Sequence, residues 1–244
     1  MQHDKEVMRA LSIVHQPDAG PGVFADAFAE RGAQLDSWEI GTGAQPPADP
    51  RDYDAVLTFG GSMDAHHEDE HPWLRFEKDL LAEMLAHEIP LMAVCLGAQL
   101  LADAVWATPQ PAREPEIGWH EVEVTAQGAE DPLLGPLAPS FTAFQWHSYE
   151  APLPAGATAL ATSPVCLQAY RIGDVAWGIQ FHAEVSAADA ELWIDEWESD
   201  PVAEAIGLDP EALREQTRAA IEDWNKLGRE LCGRFVDAAE KHAP

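Results

Sequence analysis

The sequence predicts an α/β fold: a mostly parallel sheet flanked by helices, a small antiparallel extension and a helical C-terminal tail. Three observations predict it. Apolar runs of strand length alternate with amphipathic helical segments from Arg9 to Val105. Strand-like runs separated by Pro/Gly turns then follow one another from His120 to Phe181, and helical patterning takes over after Ser186. Alternation of the first kind implies parallel strands with helices on both faces, because a parallel pair needs a crossover.

The elements read in order as follows. RALSIVH (9–15) is an apolar run suited to a buried strand, and GVFADAFAERGA after it is a helix ending near Gly32. AQLDSWEI (33–40) is a second strand, followed by a Pro/Gly-rich loop, and YDAVLTF (53–59) a third, stopped by Gly60-Gly61. Residues 72–88 form a helix with Pro72 at its first position and Trp73, Phe76, Leu80, Leu81, Met84 and Leu85 along its apolar face. PLMAVC is the fourth strand, and LGAQLLADAV continues from it as a helix. The runs at 120–126, 141–147, 157–163, 165–171 and 175–181 make an antiparallel extension, the last returning to the main sheet. With no repeat and no long linker, residues 1–185 read as one domain, with 186–244 a helical extension packed on it.

Composition excludes some functions. Forty-three acidic residues against 14 basic ones give a formal net charge of -29. A field of that sign repels phosphate backbones and anionic headgroups, so neither nucleic acid nor a membrane surface is an expected partner. The N-terminal residues lack the basic-then-apolar pattern of a signal peptide. Three scattered cysteines, Cys95, Cys166 and Cys232, make neither a disulfide framework nor a zinc site, and fit a reducing cytoplasm.

The chemistry concentrates in three places. Cys95 sits where a buried strand meets a helix, a sharp turn at the carboxyl edge of the sheet where ligands of open α/β sheets bind. Helix N–H groups point at such a sulfur and favour its thiolate. Gly97 lets backbone approach a ligand, and Gln99, one turn on, offers an amide. His182 and Glu184 stand one residue apart at another strand end, so both side chains leave on one face and the carboxylate can orient the imidazole. Gly60-Gly61 can present backbone N–H groups to an oxyanion. Singly, each has a plain reading: inert core, a solvated strand end, a turn. Together they have the composition of a nucleophile, its base, the base's orienter and an oxyanion hole.

These pieces, TFGGSMD, VCLGAQLL and GIQFHAEV in that order, resemble the class I (triad) glutamine amidotransferases. EIGWHEV (116–122), FQWHS (144–148), the acidic-His loop before HPWLRFEK and the helical tail look like the free-standing subgroup similar to the amidotransferase domain of GMP synthase. The resemblance implies a flavodoxin-like sheet, Cys95 as nucleophile, His182 as base and then acid, and Glu184 as its orienter. It further implies oxyanion N–H groups from Gly61 and Leu96, with Gly60, Gln99, Trp146, His147 and Ser148 around the substrate. The usual His-Pro-Glu reads His182-Ala183-Glu184, and the frequent Ser-His-Gly-Asp reads Trp146-His147-Ser148-Tyr149. These residues carry no pyrophosphatase loop or Walker motif, so the ATP-using half of a GMP synthase is not expected among them.

The expected activity is cysteine-dependent hydrolysis of a γ-glutamyl amide, with glutamine the default and ammonia delivered to a separate synthetase partner where one exists. The alternatives are a γ-glutamyl peptidase and a catalytically idle regulatory subunit. No cofactor and no metal is expected. His66, His67 and His71, among acidic neighbours in a short polar loop, read as solvated rather than as ligands. Trp193, Trp197 and Trp224 at helical spacings read as core or interface packing, which is compatible with a homodimer.

Overall fold

The computed structural model describes residues 7–242; residues 1–6 and 243–244, at the ends of the two segments expected from the sequence, lie outside it. Among the described residues nine strands form one sheet: β1 (Arg9–Ile13), β2 (Gln34–Trp38), β3 (Ala55–Thr58), β4 (Leu91–Val94), β5 (Gln110–Val124), β6 (Ser140–Glu150), β7 (Thr158–Thr162), β8 (Leu167–Ile172) and β9 (Ala176–Ile179). Their spatial order is β2-β1-β3-β4-β9-β8-β7-β5-β6. The first five in that order are parallel to their neighbours, and the pairings from β9 through β8, β7 and β5 to β6 are antiparallel.

The helices of the described residues are α1 (Val23–Glu30), α2 (Trp73–Ala86), α3 (Leu96–Asp103), α4 (Ala187–Asp195), α5 (Pro201–Ala205) and α6 (Pro210–His242). Period-two alternation along the buried strands divides the core into two layers. Ala10, Leu57, Met92 and Val94 face Phe24 and Phe28 of α1 and Phe235 and Val236 of α6. Leu11, Val56, Leu91 and Ala93 face Leu74 and Leu81 of α2 and Leu100 of α3. Neighbouring residues of one strand thus feed opposite layers, which is why these strands read as unbroken apolar runs. Each fully buried large side chain contributes about 1.5–3 kcal/mol relative to exposure.

Three details differ from the sequence expectation. β5 begins at Gln110, ten residues before the predicted run, and is bulged between Pro111 and Glu116. Pro72 immediately precedes α2 with helical angles rather than opening it. The apolar face of α2 is also rotated. Phe76 is 53% exposed, whereas Glu77 is fully buried.

The chain leaves β1 toward β2 on one side and toward β3 on the other, so the strand order reverses there and loops splay apart at the carboxyl edge. His15, Gly60, Cys95 and His182 lie just past the ends of β1, β3, β4 and β9 at that edge.

Candidate active site at the carboxyl edge of the sheet

Cys95 is the residue between β4 and α3, with φ 53° and ψ -111°. A non-glycine residue held there stores about 1–3 kcal/mol of strain and is over-determined by its surroundings. Those surroundings are visible. Cys95 N–H donates to Ile179 of β9, and Gly97 N–H donates to the carbonyl of Phe59. A Cβ on Gly97 would lie 2.6 Å from the Thr58 carbonyl oxygen, so only glycine lets the start of α3 sit against the end of β3.

His182 is 2% exposed, and its Nδ1 lies 2.7 Å from Glu184 Oε1, itself 2% exposed. Cys95 is an electrostatic neighbour of the same ring, while its Sγ donates to the Trp146 carbonyl at 3.9 Å. Burial opposes charge on His182, but the Glu184 carboxylate and the neighbouring Cys95 outweigh it, so the imidazolium is held above the usual histidine range. The Trp193 and His182 rings meet edge to face, their centroids 4.9 Å apart at 80°. Trp193 is a site residue that sequence reasoning assigned to packing; helical spacing alone carried no signal that it reaches across to the imidazole.

The loop carrying His182-Ala183-Glu184 is held from three sides. His182 N–H donates to Phe144 of β6, and Val23 at the start of α1 donates to the Glu184 carbonyl. From α6, Trp224 Nε1 donates to the His182 carbonyl at 2.8 Å and Asn225 Nδ2 to that of Val185 at 2.7 Å. Gly228 packs directly on the Ala183 carbonyl, where a Cβ would collide. These contacts fix the loop in which Ala183 stands between His182 and Glu184. Trp224→Phe is expected to cost about 1–3 kcal/mol by orphaning a buried carbonyl, read by urea denaturation. Turnover should fall with it, through kcat rather than KM, because the loop and not the cavity is disturbed.

A cavity of about 610 Å³ opens over Cys95 and His182. Of the residues proposed around the substrate, Gly61, Leu96, Gln99, Trp146, His147 and Ser148 line it. Gly60 lies behind it, its carbonyl turned to His15 Nδ1 at 3.0 Å, and a Cβ there would lie 3.1 Å from His182 Cε1. Gln99 spends its Nε2 on the Tyr149 carbonyl and Gln180, at 3.2 and 3.3 Å. The far wall comes from the C-terminal segment: Trp193, Glu196, Ser199, Asp200, Pro201 and Val202. Asp200 ties it to β6, accepting from Trp146 Nε1 at 2.7 Å.

Two groups of potential metal ligands sit nearby. In the His66–His71 loop, His66 Nε2 bonds the Pro109 carbonyl at 2.8 Å, and Glu68 pairs with Arg75 at 2.7 Å and also with Lys78. The loop is anchored by these contacts but does not line the cavity; Met63 and Asp64, just before it, do. Glu116, His147 and Cys166 bring a carboxylate, an imidazole and a thiol close together in the core. Glu116 Oε2 accepts from Gln168 at 2.7 Å and Ser163 at 3.1 Å and faces His147 Nε2 at 3.2 Å, while His147 Nδ1 bonds the Tyr149 carbonyl at 3.0 Å. This cluster is a hydrogen-bonded support for β6, separate from the Cys95–His182–Glu184 set.

Burial pushes the Cys166 and Cys232 thiols well up, the former helped by Glu116. Only Cys95 of the three lines the cavity. At neutral pH, iodoacetamide is expected to modify Cys95 at least ~10-fold faster than either of the others, measured by peptide mapping over time.

A model of the class-I glutamine amidotransferases matches residues 22–194. The crystal structure of a glutamine amidotransferase from Thermotoga maritima superposes with a TM-score of 0.84 at 31% identity, over 94% of this chain and 98% of that one. The glutamine amidotransferase-like protein YfeJ of Salmonella typhimurium is 27% identical over 188 residues, 75% of this chain and 79% of its own. One subunit of the glutamine-hydrolysing GMP synthase of Halobacterium salinarum is 32% identical over 146 residues, 58% of this chain and 71% of its own. A gamma-glutamyl-L-1-hydroxyisopropylamide hydrolase of Pseudomonas sp is 28% identical over 146 residues, 56% of this chain and 49% of its own. With the family pattern running through most of its length and its three motifs gathered at one sheet edge, the chain belongs to the class-I glutamine amidotransferases.

Proposed function

We propose that the chain hydrolyses γ-glutamyl amides through Cys95, with glutamine the default substrate. The observation that carries this reading is the buried Glu184–His182 pair sharing one cavity with Cys95, whose charge acts on the imidazole. The Cys95 thiolate attacks the γ-carbonyl carbon, and the resulting oxyanion is held by the N–H groups of Gly61 and Leu96. His182, as imidazolium, protonates the departing amine as the C–N bond breaks. Water then attacks the thioester, gives its proton to His182, and releases glutamate and the thiolate. Gln99 and the Trp146–Ser148 backbone hold the glutamyl end. The amidotransferase-like part is residues 1–185, with 186–244 its helical extension. The similarity to one component of a GMP synthase supports delivery of ammonia to a separate synthetase.

A second reading is favoured by the wall that the C-terminal segment adds. A cavity of about 610 Å³ is of a size that takes whole drug-sized ligands. That leaves room for a leaving group larger than ammonia, as in a γ-glutamyl amine or peptide, and one relative is named for such a hydrolysis. The test is glutamate release by the purified chain from glutamine and from a panel of γ-glutamyl amines and dipeptides. Turnover of glutamine supports the first reading, turnover of a conjugate alone the second. Silence on the whole panel sinks both.

A further inference from the structure

Beneath the Gly60-Gly61 turn lies a second buried histidine–carboxylate pair that no part of the proposed reaction uses. His15, at the end of β1, is 3% exposed overall, and neither its side chain nor that of Glu77 is reached by solvent. His15 Nε2 lies 2.8 Å from Glu77 Oε2, and Glu77 Oε1 accepts from the Thr58 hydroxyl at 2.6 Å. Trp73 stacks on the imidazole at 5.0 Å and 13°. The other nitrogen, Nδ1, is 3.0 Å from the Gly60 carbonyl. A carbonyl oxygen only accepts, so Nδ1 carries a proton and donates it.

The consequence follows from peptide geometry. The Gly60 carbonyl and the Gly61 N–H belong to one planar trans peptide and point in opposite directions. Fixing the carbonyl on His15, on the side away from the cavity, aims the Gly61 N–H the other way, and Gly61 lines the cavity beside Cys95 and Leu96. Two consecutive glycines offer little resistance to a flip of the peptide between them. A flipped peptide would present a carbonyl oxygen where an oxyanion must sit. We propose that His15, held by Glu77, is a positioning residue that locks the Gly60–Gly61 peptide in the orientation that stabilises the oxyanion. This rests on the acyl-transfer reading above.

The test separates acyl transfer from plain sulfur reactivity. Alkylation of Cys95 by iodoacetamide displaces iodide at a saturated carbon and forms no oxyanion, whereas attack on a γ-glutamyl amide does. His15→Phe keeps the ring and removes the donor; Glu77→Leu removes the acceptor that orients it. Each is expected to lower kcat about 10²–10³-fold, the loss typical of an oxyanion donor. KM and the rate of Cys95 alkylation should each stay within about threefold, the range left when ground-state binding and the thiol are undisturbed. His15→Asn, whose side-chain amide reaches the same carbonyl, and Glu77→Gln, which can still pair with His15, should keep most of the turnover. If His15→Phe and Glu77→Leu turn over normally, the inference is overturned and the acyl-transfer reading stands. If alkylation falls in parallel with kcat, or the conservative variants lose as much as the disruptive ones, the pair is only structural and the inference again fails. A wild-type chain silent on every γ-glutamyl compound overturns both.

Discussion

Cys95→Ala is expected to lower kcat for γ-glutamyl amide hydrolysis by about 10⁴-fold or more, since no other thiol lines the cavity to form the thioester. The remaining cysteines are in no position to substitute: Cys166 and Cys232 lie in the core, protonated and away from the cavity. Alanine keeps a Cβ, so the strained turn between β4 and α3 and its hydrogen bonds to Ile179 and around Phe59 survive. The variant should therefore fold with nearly unchanged thermal stability and still bind substrate, measured by calorimetry. Residual turnover within tenfold of wild type would mean that another nucleophile operates.

Glu184→Gln tests the next link. The amide can still accept from His182 Nδ1 at the observed 2.7 Å separation, so the ring stays in place. What disappears is the charge. Burial opposes the imidazolium, and in the wild type the carboxylate more than compensates, raising the His182 pKa. Without it, burial is opposed only by Cys95, and His182 loses its proton at lower pH. Loss of the general acid should lower kcat about 10²–10⁴-fold, with the alkaline limb of the pH profile displaced to lower pH. The same raised pKa has a stability sign. In the wild type the His182 contribution is fully present below the unfolded histidine value of about 6.5 and is lost as pH rises through the folded one. The variant should lack this dependence, so urea midpoints of the two proteins should converge as pH increases. An unshifted pH profile would mean that a different group charges His182.

Much of the fold, and the placement of the candidate site at the sheet edge, was legible in the sequence because its signals are local. Apolar strands alternate with helices in the first hundred residues because those strands are covered on both faces. The Cys95 and His182 motifs could be read because a strand end, a glycine and a one-residue spacing are enough to fix which way side chains leave the backbone. What was hidden depends on distant chain. The start of β5 carries Pro111, Arg113, Glu114 and Pro115, residues of a loop by composition, and becomes strand by pairing with Tyr149 and Glu150 across a bulge. Periodicity placed Phe76 inward, but Glu77 is buried instead, because His15 just past β1 and Thr58 of β3 give its carboxylate partners. Trp193 and Trp224 looked alike in sequence. One meets the imidazole edge to face and the other holds the same residue's carbonyl, a difference set by where α4 and α6 lie on the sheet.

The grip of α6 on the His182–Glu184 loop bears on how this protein can be inherited and recombined. The family-wide pattern ends at residue 194, yet Trp224, Asn225 and Gly228, which steady the loop inside that pattern, lie beyond it. A chain shortened to the shared segment would keep every motif and lose their brace. A relative's C-terminus grafted in place of α6 would have to reproduce an indole, an amide and a glycine at 224, 225 and 228, in that register along one helix. The recognisable module and the working one therefore have different borders.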